Sequence, residues 1–169
     1  AAFSGNSTQG NASFRADNAQ PDFSGLNGRV TLWDIHARWQ PGNFDLSALY
    51  ARGHIGDAAK LDSVLLAFNQ ANGTDLAFVP EAFYGWYGQA AYRIHLSHDM
   101  VLAPFARYEY YNTQSSMPAG FEADPANANH VVTAGLNFYP HPQVVIKADY
   151  QRYTDRNNNR FDLGLGYMF

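Results

Sequence analysis

The side chains with chemical potential in this chain are charged residues set at alternating positions. Asp34, His36, Arg38, Asp45, Arg93, His95, Arg107, Glu109, Lys147, Asp149 and Asp162 each sit between apolar neighbours, so extended backbone aims them at one face of a sheet. A face of that kind can line an aqueous channel, where charges, donors and acceptors at the narrowest point select the solute. Both signs occur, so cations on one wall can oppose anions on another, with Arg38, Arg93, Arg107 and Lys147 as the selectivity candidates. Arg107 and Glu109 share a strand face, as do Lys147 and Asp149. A hydrated wall of mutually satisfied charges is therefore the plainer reading.

Other chemistries fit less well. Asp155, Asn157 and Asn159 have the first ligand spacings of a calcium loop, but Arg160 stands where that loop needs Gly and Gly166 where it needs Glu. A polar hairpin loop explains them better. His95 and His98 straddle a strand end and a turn, with only Asp99 to add as a ligand. Cys is absent, which removes disulfides and thiolate metal sites. Outer-membrane phospholipases and proteases are barrels, and His36 and His95 are available bases here. Hydrolysis would need a nucleophile held beside one of them, and no Ser is so placed. No phosphate-cradling glycine loop is present. The reading is no enzyme, no catalytic residue, no cofactor and no metal. The net charge of -4 argues against a nucleic-acid partner.

The elements that must carry these residues show a period of two. In 29–40, Trp33, Ile35, Ala37 and Trp39 alternate with the charged set, and in 44–50 Phe44, Leu46, Ala48 and Tyr50 share a parity. The same holds for 82–95 (Tyr84, Trp86, Ala90, Tyr92, Ile94), 101–112 (Leu102, Ala106, Tyr108, Tyr110) and 130–139 (Val132, Ala134, Leu136, Phe138). It holds again for 143–153 (Val144, Ile146, Ala148, Tyr150) and 160–169 (Phe161, Leu163, Leu165, Tyr167, Phe169). Each run is near the ~9–11 residues of a tilted membrane strand, whereas no apolar run approaches the ~18 of a membrane helix. Alternation hides hydrophobicity from any average, so a mean hydropathy of -0.36 does not exclude a lipid-facing surface. Ile35, Leu46, Ile94, Leu136, Ile146 and Leu165 are the expected lipid contacts.

Short turns at 41–43, 96–99 and 140–142 oppose longer links near 53–81, 112–129 and 154–159. That asymmetry puts the short turns in the periplasm and the long loops outside. Trp39, Phe44, Phe138, Tyr167 and Phe169 then mark the periplasmic interface, and Tyr50, Tyr84, Trp86, Tyr108, Tyr110, Tyr150 and Phe161 the outer one. The soluble alternative, a sandwich or lipocalin-like barrel with its apolar parity inward, gives no reason for aromatics at both strand ends. Within 53–81, Ala58, Leu61, Val64, Leu65 and Phe68 predict a helix over 57–70, capped by Asp57 and ended by Asn72-Gly73. That helix either folds inward to narrow a pore or packs across the rim or a neighbouring subunit, and the rim is preferred.

Seven strands are odd in number, and complete bacterial barrels have an even count. Residues 1–28 read as an extracellular loop or strand remnant, with only Ala1-Ala-Phe3 offering strand character, and 29–169 as the C-terminal part of a barrel. On this reading the strand at 29–40 pairs with something outside this sequence.

Two segments carry a family likeness. Arg160 to Phe169 resembles the C-terminal insertion signal of bacterial outer-membrane barrels, with Tyr167 and the terminal Phe169 as its aromatics. Val132-Thr-Ala-Gly-Leu-Asn-Phe-Tyr-Pro-His-Pro-Gln-Val-Val-Ile-Lys-Ala-Asp-Tyr150 resembles the penultimate hairpin of the phosphate-selective porin O and P family, a likeness covering 80–169. It implies an all-β, antiparallel transmembrane barrel of about sixteen strands, trimeric and water-filled, in the bacterial outer membrane. Phosphate preference does not follow, because no lumenal Lys or Arg cluster accompanies it. The function expected is passive diffusion of small hydrophilic or anionic solutes. Its partners are outer-membrane lipid and lipopolysaccharide, and a homotrimer. The alternative is a plugged or partner-filled barrel that anchors without transporting.

Overall fold

The computed structural model describes residues 1–8, 20–96 and 98–168, and nine strands and one long helix lie within them. They are β1 (Ala2–Asn6), β2 (Arg29–Trp39), β3 (Phe44–Ile55), α1 (Ala58–Asn72), β4 (Ala82–Tyr92), β5 (Ile94–His95), β6 (Val101–Ser116), β7 (Ala128–His141), β8 (Val144–Tyr153) and β9 (Arg160–Tyr167). One sheet holds them in the order β1-β2-β3-β4-β6-β7-β8-β9, with β5 beside β6. Neighbours in space are neighbours in sequence, as antiparallel strands joined by hairpins require. The fold is an all-β antiparallel sheet.

The N-terminal expectation needs correction. Ala2–Asn6 pairs antiparallel with β2, Ala2 opposite Trp33 and Asn6 opposite Arg29, so the first half of β2 finds its partner inside this sequence. Five residues are too few to display a period, and long-range hydrogen bonds rather than their own pattern make them a strand. β3 and β6 also run on, to Ile55 and Ser116. Arg52 and His54 continue the apolar parity of β3 with polar side chains, which masked its true end. β4 breaks at Arg93, whose N–H donates to the Asn43 carbonyl at 2.8 Å, leaving β5 as a stub.

The chain divides into two compact units, Ala1–Asp34 with Ala51–Tyr84 and Asn112–Ala128, and Ile35–Tyr50 with Gly85–Tyr111 and Asn129–Phe169. In the first, α1 buries Ala58, Leu61, Asp62 and Leu65. Leu61 settles against Gly28, where an added Cβ would lie 3.3 Å from its Cδ1. The Phe83 ring occupies the space a side chain at position 53 would need, 2.0 Å from an ideal Cβ, so Gly53 is what lets this ring lie on the strand. In the second unit Val101, Ala103, Phe105 and Val131 are buried, and Phe105 covers Gly135 in the same way.

Helix α1 starts one residue after the expected 57 and ends two past 70. Gly73, at φ 64°, closes it by donating its N–H to the Asn69 carbonyl. Asp57 does not cap it through its side chain. Its backbone is left-handed, φ 53°, and its carboxylate accepts not from the helix's first N–H groups but from Asn27 N at 3.1 Å and Lys60 Nζ at 3.0 Å.

Candidate pore-facing site

Alternation gives the strands two chemically distinct faces. Ile35, Ile94, Leu136, Ile146 and Leu165 are exposed, Leu165 to 77%, and Leu46 is half-buried. Tyr167 is exposed, while Phe169 lies outside the described residues.

On the opposite parity the charges mostly meet partners. Arg38 Nε donates to Asp45 Oδ1 at 2.8 Å, its Nη2 donates to Oδ2, and Gln40 Nε2 adds a 3.0 Å bond to that oxygen. This two-point fork fixes the guanidinium plane across the β2–β3 hairpin. Arg107 Nε lies 2.7 Å from Glu109 Oε2, an ion pair too bent for a hydrogen bond, while its guanidinium sits 3.8 Å over the Tyr87 ring. Lys147 Nζ approaches Asp149 Oδ2 at 3.0 Å and the Phe105 ring centroid at 5.2 Å. Arg160 Nε stands 3.3 Å from Asp162 Oδ2.

Within the second unit a cavity of about 740 Å³ gathers Arg38, Asp45, Gln89, Arg93, His95 and Asn137, with Tyr87 and Tyr139 on its wall. Arg93 and His95, placed on one parity by the sequence, do meet there. Its neutral members escaped a search for charge, although parity already assigned Gln89 and Asn137 to this side. Arg107, Glu109 and Lys147 do not line this cavity. Asp149, expected on a wet wall, is only 3% exposed. Packing beside Phe105 and Gly135 covers it, since Gly135 brings Asp149 Cβ within 2.5 Å of an ideal Cβ. His36 is exposed and Asp34, in the other unit, is half-buried.

The loops show where other chemistry is used up. Asp155 accepts from His130 N at 2.6 Å and meets His130 Nδ1 at 2.9 Å, and these bonds hold its carboxyl below the usual range. Asn159 Oδ1 accepts from Tyr153 N at 3.0 Å. Two of the three calcium-like ligands thus serve the hairpin. His98 occupies a left-handed turn position, φ 62°, outside the cavity that takes His95. In α1, Asp62 is fully buried and accepts from Val79 N at 2.6 Å, and desolvation pushes its carboxyl up.

Comparison with known proteins adds three findings. The family model described as phosphate-selective porin O and P matches residues 5–168. An uncharacterized protein of Aquifex aeolicus (strain VF5) is 32% identical over 136 residues, 78% of this chain. The chain spans about a third of that relative, 31% of its length. The backbone structure of the Yersinia pestis outer membrane protein Ail in a phospholipid bilayer nanodisc is similar at 17% identity and a TM-score of 0.37, covering 89% of this chain and 92% of that one.

Proposed function

This chain belongs to the phosphate-selective porin O and P family and is a β-barrel protein of the bacterial outer membrane, and from that premise we propose that it lets small hydrophilic or anionic solutes diffuse passively through a water-filled lumen. The observation carrying this reading is the cavity shared by Arg38, Arg93 and His95, a space of mixed charged and apolar lining on the strand parity opposite Leu136 and Ile146. Arg38 is tied to Asp45, which leaves Arg93 as the cation best placed to attract an anion. We assign no chemical step. The whole protein, on this proposal, is a barrel of about sixteen strands, assembled as a trimer, with this chain supplying its described sheet.

Planar-bilayer conductance of the full-length protein tests the reading. Discrete open steps are expected, and Arg93→Glu should move the zero-current potential toward cation preference. An intact, folded protein with no conductance would favour the second reading, a filled barrel that anchors. That reading draws on α1, whose buried Leu61 packs on Gly28, at the end of the strand parity that carries Asp34.

A further inference from the structure

The distribution of charge on the lipid-facing parity is one-sided. Strand acids Asp34, Asp45, Glu109, Asp149 and Asp162 all take the other parity. The arginines that take the apolar parity are Arg29 on β2, Arg52 on β3 and Arg152 on β8, each at the strand end beside a long loop. At the short-turn ends this parity holds aromatic and aliphatic side chains, and His141 after the bulge in β7. Among the described residues of a chain of net charge -4, the strand arginines on the apolar parity thus stand at the ends away from the short turns.

In the first unit these residues form a place. Arg29, Arg52 and His54 are exposed, and Val30 and Gly53 between them are not. Gly56 N donates to the Arg29 carbonyl at 2.9 Å, which sets the end of β3 beside the start of β2. A cleft of about 310 Å³ there is lined by Asn27, Arg29, Thr31, His54, Gly56 and Asp57. Asp57 is the opposing charge, and Lys60 and Asn27 N already engage it. Beyond Arg29 on the same parity of β2 comes Trp33, 45% exposed.

Basic side chains above an exposed aromatic ring match a phosphorylated headgroup above its acyl chains. We propose that Arg29, Arg52 and His54 bind the phosphate of an outer-leaflet glycolipid headgroup, lipopolysaccharide in chemical class, while Trp33 meets its apolar part. The inference rests on the proposed orientation, with long loops outside. Arginine supplies planar donors to phosphate oxygens, and the low dielectric of the interface strengthens each contact.

The test uses the full chain folded into phosphatidylcholine bilayers, titrated with bis-phosphorylated lipid A and followed by native mass spectrometry of retained lipid. Arg29→Gln/Arg52→Gln should weaken retention about twentyfold, near fivefold for each arginine, while Arg38→Gln, on the other parity, should leave it unchanged. Equal retention by the double variant overturns the site. So does equal retention of dephosphorylated lipid A, or full competition by millimolar inorganic phosphate, which would make this a soluble-anion subsite. Labelling of Lys60→Cys in intact cells by an impermeant maleimide separates the two readings. A protected cysteine would sink the orientation itself, whereas a labelled one without lipid A retention would sink only this inference.

Discussion

Leu136 and Asn137 are sequence neighbours on opposite faces of β7, one exposed and apolar, the other on the cavity wall. Arginine at a lipid-facing midplane position costs about 2–4 kcal/mol, because the guanidinium must drag water or headgroups to itself. Leu136→Arg should therefore lower the unfolding free energy in lipid vesicles by that order, and Asn137→Arg by far less. Urea titration of the two refolded variants measures it, and the reverse ranking would mean that the faces are exchanged. At this scale the sequence was most legible where side chains alternate cleanly, as at Arg93 and His95. It was least so for Asp149, whose burial depends on Phe105 and Gly135 arriving from other strands. Alternation tells which face a side chain takes, not what covers it there.

Elements were readable in proportion to their length. The α1 region showed its helical spacing, and Gly73 marked its end, but Asp57 is engaged by Asn27 N from far back in the chain, a contact that no local pattern contains. The short β1 was legible only as a remnant at Ala1-Ala-Phe3, because pairing with β2 rather than its own pattern carries it to Asn6. Two glycines on the inner parity carry different tolerances. An ideal Cβ at Gly135 would lie 2.5 Å from the Ala148 carbonyl oxygen, which is backbone and cannot swing aside, whereas at Gly164 the nearest atom is Lys147 Cβ at 3.9 Å. Gly135→Ala should destabilise by roughly 1–3 kcal/mol, and Gly164→Ala should be neutral or slightly stabilising, compared by refolding yield and urea midpoint. Asp62 gives α1 a pH dependence. Its folded pKa is raised by burial, so its contribution to loop closure is complete below the unfolded carboxylate range and is lost as pH rises through the folded value. Amide exchange at Val79, corrected for intrinsic rate, should quicken across that window. Asp62→Asn keeps an acceptor for Val79 N and should flatten the profile, and an unchanged profile would remove Asp62 from the closure.

For the molecule as a whole, the sheet order leaves β1 and β9 as its terminal strands, and β9 hydrogen-bonds β8 along Arg160 to Phe161 and onward to Tyr167. In hydrocarbon an unpaired strand edge exposes N–H and C=O groups that cost several kcal/mol each. Two arrangements remove that cost. Further strands can flank β1 and β9 in a larger barrel, as a relative of which this chain spans 31% allows, or β9 can close on β1. We propose the first, in keeping with the larger barrel proposed above for the whole protein. This sequence holds no Cys, so any bridge between introduced pairs here is read directly. Ser4, opposite Thr31, shares the parity of Phe161, Leu163 and Leu165, so Ser4→Cys can be combined in turn with Phe161→Cys, Leu163→Cys and Leu165→Cys. A disulfide requires Cα atoms within about 7 Å, and none of the pairs should oxidise in the full-length membrane protein. A bridge at any register would establish direct closure. The lumen would then be filled by side chains, as in barrels of about eight strands, and the anchoring function would replace the channel.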